Sequence, residues 1–275
     1  MSATLTVPTE TTEATAPAAR PAREVPARIP FGRVLLVELQ KMFDTRSGFW
    51  LMIGIAASAL IATGAVIAFA PDNQITYDNF GAAVGVPMVF LLPVMAILSV
   101  TSEWSQRSGL TTFTLVPNRS RVLAAKAIVG TAVGAVSISV ALAIGALGNI
   151  VGAGIAGVDP VWDITLSQAL TLTFANVLNL LIGFMLGVLI RNSPGAVVGY
   201  FVYGFVLPPL TMLLAELNGW WADKQPWLDF NWAQGPLYDG EMAGSDWAHL
   251  ATSGAIWLVI PLVVGLFLVR RSEVK

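Results

Sequence analysis

Residues 48–70 read GFWLMIGIAASALIATGAVIAFA, a run of 23 residues that contains no Asp, Glu, Lys or Arg. A helix needs about 20 mostly apolar residues to cross the hydrocarbon core of a bilayer, so this stretch reads as a membrane span. Five further windows of similar length and character follow it. The six predicted spans cover roughly 48–70, 80–102, 122–147, 165–190, 194–216 and 247–269. Hydrocarbon offers no hydrogen-bond partners to the backbone, so the spans are expected to be helices. Pro87, Pro93, Pro208, Pro209 and Pro261 fall within three of them, where neighbouring helices can take up the carbonyls that proline leaves without a donor.

The whole composition agrees with the windows. Hydrophobic residues make up 55% of the 275 and charged residues 12%, and the mean hydropathy is +0.71, which leaves too little polar surface for a water-soluble globule. The predicted fold class is therefore an all-α polytopic membrane protein. There is no cysteine, which excludes disulfides and thiolate metal sites. The single histidine, His249, cannot form a cluster, so no metal site is expected.

Ahead of the first span the chain changes character twice. Residues 1–27 are dominated by Thr, Ala, Pro and Glu and are read as a disordered cytoplasmic tail. Over 28–47 the pattern becomes that of an amphipathic helix. Phe31, Val34, Leu35, Leu39 and Met42 share one face opposite Arg33, Gln40 and Asp44. This helix is expected to lie on the membrane. Glu38 interrupts its apolar face and leaves room for a protein partner there.

Orientation follows from the cations. Fourteen of the fifteen Lys and Arg precede span one, follow span six, or lie between or beside spans two and three and spans four and five; Lys224 is the exception. The positive-inside rule then puts both termini in the cytoplasm of a multi-pass cell-membrane protein. The longest outer segment, 217–247, carries Trp220, Trp221, Trp227, Trp232 and Trp247 and reads as a cap of short interfacial or re-entrant pieces.

Two features bear on function. In span four Gln168, Thr171, Asn176 and Asn179 project within about 140° of one another, and amides are costly against lipid. The stripe faces either neighbouring helices or a translocation path. No Asp, Glu, Lys or Arg lies near the middle of any span, so coupling to protons or sodium is not expected. The chain has no G-x-x-x-x-G-K-[ST] phosphate loop, and it is not expected to be an enzyme.

The connection between spans two and three holds the densest signal. Leu110, Phe113 and Val116 recur at helical spacing among charged residues, as a short helix docking into a partner's groove requires. Pro117 ends that piece. Around it, Glu103, Trp104, Pro117, Arg119, Arg121 and Lys126 occur in the order and spacing found in the first cytoplasmic loop of ABC-2 type transporter permeases, which this chain resembles. The preceding amphipathic helix with Glu38, Lys41 and Arg46 and the count of six spans match that family too. The resemblance implies a permease subunit of an ATP-driven exporter that pairs with a second copy or paralogue. A separate ATP-binding subunit would carry ATP and Mg, with no cofactor in this chain and no nucleic-acid partner. Leu110, Phe113 and Val116 would anchor that subunit, with Glu103, Arg107 and Arg119 setting the register. A non-transporting regulatory or immunity subunit of the same fold is the alternative.

Overall fold

A backbone amide out of reach of water must find its partner within its own segment, and every long apolar stretch of this chain is accordingly helical. The computed structural model describes residues 29–105 and 119–271. Among them six helices are long and apolar enough to cross a membrane: Arg46–Phe69, Tyr77–Trp104, Ser120–Ala156, Leu166–Ile190, Ser193–Leu217 and Gly244–Val269. These match the six predicted windows. The expected tail, together with Arg107, Leu110, Phe113, Val116 and Pro117, lies outside the described residues.

In chain order the elements are α1 (Phe31–Asp44), α2 (Arg46–Phe69), α3 (Tyr77–Ser105), α4 (Arg119–Ala156) and α5 (Leu166–Ile190). The fifth span comprises α6 (Ser193–Phe201), a π-turn at Val202–Val206 and α7 (Leu207–Leu217). Three short helices follow: α8 (Gly219–Leu228), α9 (Phe230–Ala233) and α10 (Gly235–Asp239). The sixth span is α11 (Gly244–Gly254), a second π-turn at Ala255–Val259 and α12 (Ile260–Arg271).

The bundle is organised around α5. Its apolar window is 61% buried, against 11% for α2 and 11% for the α6–α7 span. One face of α5 sends Leu180, Phe184 and Val188 into a core with α2, α3, α4 and α12. Another sends Leu178, Ile182 and Met185 into a second core shared with α6, α9, α10 and α11. Close approach to α3 is possible because Gly183 and Gly187 have no side chains; a β-carbon on Gly183 would stand 2.6 Å from the Pro93 carbonyl oxygen. Gly130 and Gly134 of α4 likewise make room for Leu180 of α5, so both glycine pairs serve contacts within this chain.

The third span is longer than its predicted window. Gly148 and Gly152 leave a trough in α4 where the fully buried Phe80 ring of α3 sits, so the helix continues in protein contact beyond residue 147. The contacts also sort the helix ends. Gly148 of α4 lies beside Thr63 of α2 and Phe80 of α3, while Thr101 of α3 meets Ser193 of α6 at 2.7 Å. One end of the bundle therefore gathers α1, the start of α2, the end of α3 and the start of α4.

Candidate functional site

At that end α1 packs against α4 and α2. Its buried residues are Val34, Glu38 and Met42, while Leu39, placed by periodicity on the same face, is exposed together with Leu36 and Phe43. The single apolar face read from the sequence is thus two strips, one against the bundle and one turned outward. A carboxylate can sit in the inner strip because Lys126, from the first turns of α4, meets it there.

The Lys126 ammonium donates to Glu38 Oε2 at 2.5 Å and to the Ser99 carbonyl at 2.9 Å, and lies 3.2 Å from Glu103 Oε1. Lys41 completes the group, 2.8 Å from Glu38 Oε1 and 3.6 Å from Glu103 Oε1. Two ammoniums and two carboxylates form a neutral quartet. Glu38, Glu103 and Lys126 each have side chains only 4% exposed, whereas Lys41 is at 40% and forms the rim. Burial pulls the Lys41 ammonium down, but the hydrogen bond and charge of Glu38, with Glu103 behind, outweigh it and raise its pKa above 10.5.

Of the residues the sequence assigned to a partner interface, Glu103 therefore points into the chain, because two ammoniums lie within 4 Å of it. Trp104 packs against the first core. Glu38 and Lys41 are engaged with each other and the quartet, and Arg46 is exposed at the start of α2. Beside the quartet lies a cavity of about 190 Å³ between α1, α2, α3 and α4.

The polar stripe of α5 is distributed along the opposite half. Gln168 donates to Asp78 Oδ1 of α3 at 3.1 Å, and Thr171 bonds its own helix at Gln168 O. Asn179 donates to Ala175 O and to the Tyr238 hydroxyl of α10 at 3.0 Å. Burial pushes the Tyr238 phenol above its ordinary pKa, with the Asn179 bond acting the other way, so the hydroxyl keeps its proton. Asn176 donates to Leu172 O, but its buried Oδ1 has no protein partner, and neither has Gln234 Oε1. Such acceptors are where ordered water is expected. The stripe thus ties α5 to α3 and α10 at two points and leaves one amide oxygen open.

Sequence reading missed how the cap is held. Asp229 caps α9 through the Asn231 and Trp232 amides, at 3.0 and 3.2 Å. Asn231 donates to Tyr203 O at 3.1 Å, and the Trp257 indole donates to Leu228 O at 2.7 Å. The only signal in the sequence is the prolines, whose missing amides leave carbonyls to be satisfied from elsewhere. Neither a family model nor a curated protein matches the chain.

Proposed function

We propose that the chain is the membrane-spanning subunit of an ATP-driven transporter, an exporter of the ABC-2 kind. It works as a pair with a second copy or paralogue, and a separate ATP-binding subunit drives it. One observation supports the reading above the others. The quartet joins α1 to the last turn of α3 and the first turns of α4, the two helices that flank residues 106–118. A chain powered through contact needs a stiff link between the contact and the spans, and buried ion pairs fixed by three helices supply one. The amphipathic helix lies at the cytoplasmic face in this reading. Its outward strip of Leu36, Leu39 and Phe43 meets lipid while Arg33, Gln40 and Asp44 meet water.

The partner contact falls on Leu110, Phe113 and Val116, with Arg107 and Arg119 setting the register. The test is co-purification of the full chain with an ATP-binding subunit that carries a phosphate loop. Phe113→Ala is expected to lower retention of that subunit at least tenfold, since truncating a buried aromatic anchor commonly costs about 2 kcal/mol or more. The chain alone should hydrolyse no ATP. Wild-type retention and wild-type transport-linked hydrolysis in both Phe113→Ala and Arg119→Ala would remove the reading, and a stable complex that moves nothing would favour the regulatory alternative.

A further inference from the structure

We propose that the cavity beside the quartet binds the headgroup of a primary-amine phospholipid, of the phosphatidylethanolamine class, drawn from the adjoining leaflet. The inference requires only that the spans cross a lipid bilayer, and it does not depend on the transport reading.

The shape of the cavity names an amphiphile. Leu51, Met95 and Leu98 give the cavity an apolar floor, and its polar lining includes Glu38, Lys41, Ser99, Glu103 and Lys126. It sits where three spans end in charged residues, which is the headgroup depth of a bilayer. The neighbouring Phe49 and Trp50 are 55% and 64% exposed, as aromatic residues at that depth are. A soluble amine would leave the floor unused.

The balance of donors and acceptors names the headgroup. Lys126 commits its ammonium to Glu38, Ser99 O and Glu103, and the Ser99 hydroxyl donates to Ala96 O. A carboxylate oxygen accepts two hydrogen bonds, so Glu38 and Glu103 keep acceptor capacity beyond what Lys41 and Lys126 fill. An incoming group should therefore bring N–H donors and positive charge. A primary ammonium does so. Choline carries the charge without an N–H, and glycerol or inositol headgroups bring a net negative charge that a neutral quartet leaves uncompensated. The phosphate of the same lipid lies two carbons from its ammonium and meets Lys41 at the rim, where that side chain is 40% exposed. A zwitterion entering a neutral quartet leaves the site neutral.

The test titrates the purified full-length chain with phosphatidylethanolamine, phosphatidylcholine and phosphatidylglycerol of identical acyl chains, reading bound lipid by native mass spectrometry. Retention of the ethanolamine lipid should exceed that of the other two by about tenfold, the worth of one charge-assisted hydrogen bond. Leu98→Phe, and independently Leu51→Phe, fill the cavity from its floor without touching the quartet and should each abolish the preference. Equal retention of the three lipids by the wild type would overturn the proposal without recourse to any variant. So would a preference that survives in a folded filled-cavity variant, and free phosphoethanolamine competing as well as the lipid would overturn the bilayer source.

Discussion

Lys126 illustrates how a single charge becomes indispensable once others depend on it. Removing one partner of a buried ion pair strands the rest, and the cost is commonly about 3–5 kcal/mol. Lys126→Met is therefore expected to destabilise the chain by that order, since Glu38 and Glu103 would lose their shared ammonium at 4% exposure. Adding Glu38→Gln and Glu103→Gln to the same variant should recover most of the loss, because neutral amides no longer need an ammonium. Thermal unfolding in detergent measures both, and a single variant within about 0.5 kcal/mol of wild type would refute the expectation. Lys41 makes a different prediction. Its folded pKa lies above the ordinary 10.5, so its stabilising contribution is complete below that value and is lost as pH rises through the folded value. The stability gap between wild type and Lys41→Met should stay constant up to about pH 10 and close above it; a gap that widened with pH would contradict the assignment.

At the scale of the element, proline explains where the helices depart from regularity. Proline has no amide hydrogen and presses on the carbonyl four residues before it. Upstream of Pro208 the Leu207 amide reaches back five residues to Val202 O, and upstream of Pro261 the Ile260 amide does the same to Ala255 O. The π-turn moves the ladder back one carbonyl, and Tyr203 O is left with no helical donor, which is why Asn231 supplies one. Pro93 likewise deprives Val89 O, and the Tyr200 hydroxyl fills the gap at 2.7 Å. Tyr200→Phe should cost about 1–3 kcal/mol by leaving a buried acceptor unpaired. Combining it with Pro93→Ala, which restores an amide, should cost less than the sum of the two single changes, as a double-mutant cycle would reveal; strict additivity would rule the compensation out. Glycine gives a pair of opposite signs. Gly183→Ala places a β-carbon against Pro93 and should destabilise by about 1–3 kcal/mol. Gly64→Ala meets nothing within 4 Å and should be neutral or stabilising by up to about 1 kcal/mol. Unfolding of both variants in one detergent compares them directly.

For the molecule as a whole, orientation is the first quantity to measure. Cysteines introduced at Asp72, Asp159 and Asp223, all exposed, should react with an impermeant thiol reagent added to intact cells, and cysteines at Ser108 and Ser272 should not. The reverse pattern would invert the topology. Gln234 is unsuited to such labelling although the same topology puts its segment outside, because the cap folds it inward to 2% exposure. The six windows and the amphipathic start of α1 were legible in the sequence because both are local properties, a length of apolar chain or a periodicity within one helix. The extension of α4 was not, since it rests on Phe80 meeting Gly148 and Gly152, a contact between distant segments. The candidate site divides in the same way. Glu38 stood out as an intruder on an apolar face, yet the ammonium that meets it in the bundle, Lys126, is 88 residues away, and no spacing rule reaches that far. Glu103 was noticed for its place in a motif and given an outward role that its two ammonium neighbours reverse. By itself the sequence determined that six stretches are long and apolar enough to cross a membrane and that they are helices, because length, apolarity and backbone hydrogen bonding are properties of each segment separately. Only the tertiary structure decided which helix is central, which charges neutralise one another and where a cavity remains, because each depends on groups from several helices meeting at a single place.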